Sequence, residues 1–391
     1  MYSCCMLRVF SLLALFLAVN PVLSAIPSKS FEQLSREADA ARQAERLNDA
    51  ITLYRAGVQL RPGWGEGWWA LGTLLYDQDR FPEAENAFRR FVAVTPAPGS
   101  ADAFLGLCEY ETQEYDRALR HFRLWARNGW TGTAQLIDVS VFHFALLLTH
   151  EGRFVEALYL LSTEASKVGN TPAISEAMGL ASLRMRSLPE DYPPERRELV
   201  WLAGQAAFYA AELQHDLARA DEYATRMESR YNETADVHYF RGTLFTFENK
   251  SNEAEREFRE ELRVSPTHVP AMLGVVNIAL DGNRLTEAAS LAKRATEIEP
   301  NNPEAHHLWG RVLMATGKFQ ESAQELRRAK QLAPDGAMIR SHLAMVYSRL
   351  GRTQEAKAEA DAFLTLKAKQ GVLAPPEEKT RHDVKRSGEA K

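Results

Sequence analysis

The chain has 391 residues, a formal net charge of −5, 45% hydrophobic and 25% charged residues, and three cysteines. This balance excludes a disulfide-stapled scaffold and a compositionally disordered chain. No basic stripe is visible, so nucleic acid is not expected as the partner.

The first segment has its own character. Arg8 precedes an uncharged run, Val9–Val19, and then come Asn20-Pro21 and the small residues Ser24 and Ala25. This is the layout of a secretory signal peptide over residues 1–25. The run is shorter than the ~20 residues of a membrane span, with Cys4–Val19 as an uncleaved anchor the alternative. Cys4 and Cys5 lie before the apolar run, so lipid attachment at the cleavage point is not expected. The mature chain then keeps one cysteine, Cys108, too isolated for a disulfide. The expected destination is exported: periplasmic, cell-envelope or secreted. Membrane association is expected only through an uncleaved signal or a partner.

From Phe31 onward the chain repeats every 34 residues. Units start near Phe31, Gly65, Gly99, Asp138 and Pro172, then near Trp201, Ala235, Val269, Pro303 and Ala337. Position 20 of a unit is Ala50, Ala84, Ala118, Ala157, Ala220, Ala254, Ala288, Ser322 or Ala356. Position 8 is glycine at 72, 106, 179, 242 and 310, and position 32 is proline at 62, 96, 266, 300 and 334. Positions 4, 7, 8 and 11 form one stripe of a first helix, and positions 20, 24 and 27 form a stripe of a second. Small residues are required where the two axes approach, and proline stops the second helix.

The copy Trp68, Leu71, Gly72, Leu75, Ala84, Phe88, Pro96 resembles the tetratricopeptide repeat. The resemblance implies an all-α fold, a right-handed superhelical solenoid of helix-turn-helix repeats. Two steps break the period. That from Gly99 to Asp138 is 39 residues, and that from Pro172 to Trp201 is 29 and contains Pro189, Pro193 and Pro194. Pro194-Glu195 reads as a helix start. Unit five is therefore expected to lack a second helix, with a phase slip there. The expected organisation is amino-terminal units over 26–186, an interrupting loop at 187–200, carboxy-terminal units over 201–368, and a disordered polar tail at 369–391.

No catalytic constellation stands out. His306 and His307 are adjacent and diverge by about 100° on a helix, and no metal-ligand spacing, glycine-rich phosphate loop or nucleophile elbow occurs. Neither enzyme activity, a metal nor a cofactor is expected. Two sequons, at Asn232 and Asn249, have meaning only in a eukaryotic host.

The resemblance implies a concave face built by the first helices, with positions 2, 5, 9, 12 and 13 pointing into it. Those positions hold Trp69, Tyr76, Tyr110, Phe142, Tyr209, Tyr239, Phe247, His307 and Arg311, beside Asn277, Asp281 and Ser341. Exposed aromatic rings supply contact area at modest entropy cost, so a protein or peptide segment is the expected guest, anchored in the amino-terminal half. Relatives that clamp acidic chaperone tails carry Lys at position 5 with Asn at position 9; here Asn277 is accompanied by Leu273, so that clamp is not expected. An accessory subunit of an envelope or glycan-modifying enzyme complex is the alternative. It predicts a compact polar cluster at Arg186–Arg197 with partly buried Glu190, Asp191, Glu195 or Arg196, and full exposure of that segment would count against it. An exposed terminal helix face at Ala358, Ala362, Phe363 and Leu366 would suit an oligomer.

Overall fold

The computed structural model describes residues 29–96, 99–211 and 216–370. The expected signal peptide and the tail beyond Gln370 lie outside the described residues. Within them the chain forms nineteen α-helices, and no strand occurs among the described residues. No helix there is long and apolar enough to cross a membrane.

The first four units are α1 (Phe31–Gln43) with α2 (Leu47–Leu60), α3 (Gly65–Tyr76) with α4 (Phe81–Val94), α5 (Ala101–Glu111) with α6 (Tyr115–Arg127), and α7 (Ala134–Glu151) with α8 (Phe154–Val168). α9 (Pro172–Ser182) stands without a second helix. It leads through a loop and a short 3-10 turn, Pro194–Arg196, into α10 (Arg197–Ala211). α10 pairs with α11 (Leu217–Tyr231). Then come α12 (Val237–Phe247) with α13 (Ser251–Val264), α14 (Val269–Asp281) with α15 (Leu285–Ile298), α16 (Pro303–Ala315) with α17 (Phe319–Leu332), and α18 (Ala337–Arg349) with α19 (Thr353–Gln370). The fold is the expected helical-repeat solenoid.

Units two, three, seven and nine close by the same contact. A Cβ on Gly72 would lie 2.8 Å from the Phe88 ring, on Gly106 2.7 Å from Phe122, on Gly242 2.6 Å from Phe258, and on Gly310 2.7 Å from Leu326. Position 8 is therefore glycine because the position-24 side chain occupies the space a Cβ would need. Ala50, Ala84, Ala118, Ala254 and Ala288 at position 20 are buried beside it. Ser322 fits the same slot because its hydroxyl donates to the Gly310 carbonyl at 2.7 Å.

The turn between the two helices also repeats. Glu45, Asp79, Gln113, Asn249 and Asn283 all have φ between 54° and 61°, and Gly152, Gly317 and Gly351 stand at the same point of their units. The next N–H reaches back to the first helix, as from Arg80 to the Leu75 carbonyl at 3.0 Å and from Lys318 to Leu313 at 2.9 Å. This left-handed cap satisfies carbonyls that the helix end would otherwise leave open.

At the short step the chain starts the same turn and abandons it. Arg184 is left-handed (φ 52°) and Met185 N–H reaches the Leu180 carbonyl at 2.9 Å, but the next element is a loop and not a second helix. α10 packs directly and antiparallel on α9 instead. Gly179 sits against the Val200 backbone and Gly204 against the Ser175 backbone, each leaving no room for a Cβ. The connecting loop is no free hinge: Leu183, Leu188 and Tyr192 are buried in the largest core cluster, which runs from Ala103 to Leu244.

Candidate functional site

The concave-face residues divide into those consumed by packing and those left open. Trp69 is half-buried, with its ring 5.6 Å from Phe88, 5.1 Å from Phe91 and 5.4 Å from Phe104. Tyr76 lies 5.6 Å from Phe81 and 5.3 Å from Phe104, and burial pushes its hydroxyl up to about 12. Tyr110 is only 9% exposed, wedged between Tyr115 at 5.6 Å and His143 at 4.6 Å. Its hydroxyl is raised by burial first and then by the Glu190 charge from the interrupting loop. Phe142 is half-buried and edge-on to His143 at 5.5 Å. Tyr209 stacks on Tyr223 at 5.8 Å beneath the Arg219 guanidinium. His307 is buried, its Nε2 2.9 Å from His342 Nδ1. Tyr110 and His307 thus offer no open surface, because neighbouring first helices and the loop close over them. Anchoring centred on the amino-terminal rings is corrected accordingly. Trp69 alone of these rings lines an open hollow there, about 650 Å³, with Asp39, Arg42 and Trp64.

The carboxy-terminal half keeps one concave-face ring open. Phe247, at the end of α12, is 72% exposed. It lines a groove of about 560 Å³ with Tyr239 and Thr243 of the same helix and Leu273, Asn277 and Asp281 of α14. Asn277 is held in place by Arg311, whose Nη1 donates to its Oδ1 at 2.7 Å. Asn302 and Glu304, where α16 begins, complete that side. Across from them stand Val155 of α8, 79% exposed, and Arg184 of the abandoned turn. Arg184 ties the two sides together: its guanidinium lies 4.6 Å from the Phe154 ring, 5.6 Å from the Tyr239 ring and 3.9 Å from an Asp236 oxygen. The groove therefore depends on the missing helix, which turns units seven and eight back toward unit four. Nothing periodic in the sequence marks Val155 or Arg184 as lining it.

A second recurring device joins the units and was also unread in the sequence. The position-4 side chain donates to the carbonyl of position 32 in the preceding unit: Trp68 Nε1 to Pro62 at 2.8 Å, and Arg340 Nη2 to Pro334 at 3.1 Å. His238 Nε2 meets the Asn232 carbonyl at 3.0 Å, and His306 Nε2 that of Pro300 at 3.0 Å. Where position 4 is basic, position 23 of the same unit is glutamate. His238 Nδ1 lies 2.8 Å from Glu257, His306 Nδ1 2.6 Å from Glu325, and Arg340 Nη1 3.0 Å from Glu359. Apolar pairs, Leu34 with Leu53 and Met272 with Leu291, hold the same two positions elsewhere.

This pairing bears on the one group with metal-ligand geometry among the described residues. Glu228, His238 and Glu257 place ligand atoms within 4.8 Å of one another. Both ring nitrogens of His238 are committed, Glu228 faces Arg241 at 3.6 Å, and Glu257 faces Arg256 at 3.2 Å. Since Arg340 fills the same role and cannot ligate a metal, the pairing is structural. The cluster expected for an enzyme accessory is not buried: Glu190, Asp191, Glu195 and Arg196 are all exposed. Cys108 is buried, and burial pushes its thiol up to about 12, so it is no nucleophile at neutral pH.

The sequence profile of the tetratricopeptide repeat matches residues 69–133, 241–303 and 307–370. The chain belongs to the tetratricopeptide-repeat family. The 29-residue step falls between the first and second matches, and the 39-residue step runs across the end of the first. Such repeats characteristically make protein-interaction scaffolds.

Among curated proteins the chain is 30% identical over 96 residues to the protein CTR9 homolog of Arabidopsis thaliana, covering 24% of this chain and 9% of that protein. It is 28% identical over 142 residues to the cellulose synthase operon protein C of Pseudomonas fluorescens (strain SBW25), covering 36% of this chain and 11% of that protein. The chain thus spans about a tenth of either relative's length. Among solved structures it is similar to MamA 41-end from Desulfovibrio magneticus RS-1, with 16% identity, a TM-score of 0.36, and 40% and 90% of the two chains covered. It is also similar to YrrB, described as a TPR protein with an unusual peptide-binding site, with 16% identity, a TM-score of 0.36, and 46% and 92% covered. At this level no functional property passes from those proteins to this one.

Proposed function

We propose that the protein is a non-catalytic scaffold that captures a segment of a protein partner in the groove walled by α8 and the turn after α9 on one side and α12, α14 and α16 on the other. The observation that carries this reading is Phe247, a large aromatic side chain left 72% exposed on a concave wall. Most other inner-face rings are consumed by packing, so a ring this open is a standing cost to the free protein that a partner would relieve. The Asn277 amide, fixed by Arg311, adds N–H donors suited to a backbone carbonyl.

We further propose that the chain is exported and acts in a cell envelope, on the strength of the amino-terminal pattern at residues 1–25. A pull-down from an extract of the source cells tests the binding site. The full chain is compared with Phe247→Ala plus Tyr239→Ala, and folding is checked by circular dichroism. A partner kept by the first and lost by the second supports the groove; equal capture moves the site elsewhere.

The second reading is an accessory subunit of an envelope or glycan-modifying complex, favoured by the stretch similar to the cellulose synthase operon protein, although the exposure of Glu190, Asp191, Glu195 and Arg196 counts against it. Its test is co-purification of the intact chain with a membrane-associated enzyme; isolation as a lone species after crosslinking would end it.

A further inference from the structure

The groove's charges are unevenly spent. Its single cationic lining residue, Arg184, is engaged by Asp236 and by the Phe154 and Tyr239 rings, and the neighbouring Arg311 spends a donor on Asn277. Its two carboxylates are freer. The Asp281 side chain is exposed and meets no hydrogen-bond or ion-pair partner among the described residues. The Glu304 side chain pairs with the buried His307, at 3.3 Å, and its charge acts at longer range on His342. The apolar part of the groove is equally open, with Phe247 and Val155 the most exposed large hydrophobic side chains among the described residues.

Register places these features relative to each other. Phe247 and Asp281 are 34 residues apart, the last residues of α12 and α14, so they stand one unit apart along the groove. α12 and α14 both pack on α13, and successive first helices stand roughly one helix diameter, about 10 Å, apart, which an extended chain covers in about three residues. A segment with a large apolar side chain at Phe247 and Val155 would therefore present its residue about three positions away to Asp281.

Resting on the proposed binding groove, we infer that the partner is an extended protein segment carrying a large apolar residue with Lys or Arg about three positions from it. Asp281 receives that first cation, and Glu304 selects a second basic residue at the far end of the groove. An acidic segment is rejected, because it would set like charge against two carboxylates while the lining cation, Arg184, is already engaged.

The test uses a phage-displayed library of random peptides, about a dozen residues each, selected on the intact chain and on three variants: Phe247→Ala, Asp281→Lys and Glu304→Lys. Enriched peptides are expected to pair an apolar residue with Lys or Arg at the stated spacing. The best of them should bind Asp281→Lys about fivefold more weakly, a change within reach of one exposed ion pair and one new repulsion. Enrichment of acidic or charge-neutral peptides that still depends on Phe247 would overturn the charge assignment and leave the groove standing. Enrichment indifferent to Phe247→Ala, or no enrichment on the folded chain, would overturn both.

Discussion

Gly204 of α10 lies directly against the Ser175 carbonyl of α9, and Gly179 of α9 lies in the same way against the Val200 carbonyl of α10. Two glycines, one on each helix, let the backbones meet where a second helix would otherwise intervene. The solenoid crosses its irregular step through this contact.

Gly204→Ala should therefore act unlike an ordinary glycine-to-alanine change in a helix, which stabilises by up to about 1 kcal/mol. The obstacle is backbone, which cannot rotate away, so destabilisation of about 1–3 kcal/mol is expected. Hydrogen exchange of α9 and α10 amides reads this locally, as a ten-unit array need not unfold in one step. Protection unchanged from the wild type would refute the close packing.

The interrupting loop should behave as core. Leu188 is 0% exposed, and the Tyr192 hydroxyl donates to Glu176 on the inner side of α9. Leu188→Ala is expected to cost about 2–5 kcal/mol. A loss of less than about 0.5 kcal/mol, the range of surface changes, would show that the loop is not packed as core.

His238 and Glu257 make a closed test of the pairing between positions 4 and 23. Removing one partner strands a buried charged or polar group, while an apolar pair is accepted at the same positions in unit eight. His238→Met or Glu257→Leu alone should destabilise by about 3 kcal/mol, and the double change by markedly less. Additive losses would show that the pair is not a unit.

The same pair has a pH signature. The hydrogen bond that His238 donates to the Glu257 carboxylate raises its imidazole above the usual 6.5, so its contribution is full below that value and fades as pH rises through the folded value. Burial opposes ionisation of Glu257, but His238 and Arg256 hold it below its usual 4.5, so that part is lost as pH falls through its folded value. The pair therefore contributes most between about 4.5 and 6.5. His342 works in the opposite sense. Burial, then the His307 and Arg311 charges, lower it to about 4. The folded protein resists its protonation, and stability is lost as pH falls from 6.5 toward 4. Histidine titration by NMR should place the two on opposite sides of 6.5, and His342→Gln should flatten the acid loss.

Much of the site's grammar was present in the chain. His238 with Glu257, His306 with Glu325 and Arg340 with Glu359 each stand 19 residues apart at fixed repeat positions, a spacing that pairs them once the unit is known. Phe247 and Asp281 were placed on the concave face by register. Their exposure was not readable, because whether a first-helix ring is open depends on what the next unit brings against it. Tyr110 and Phe247 occupy equivalent faces, yet one is closed in by Tyr115, His143 and the loop and the other faces solvent.

By itself the sequence determined the pairing of helices. A glycine at position 8, a small residue at position 20 and a large one at position 24 leave each helix one way to bury its stripe, and that constraint is local. Only the tertiary structure decided where the chain goes beyond the missing helix. The rotation between successive units accumulates over distance, and one irregular step brings Val155 and Arg184 to the same groove as Phe247 and Asp281. No spacing along the chain encodes that meeting, because it is set by the close contact of α9 with α10.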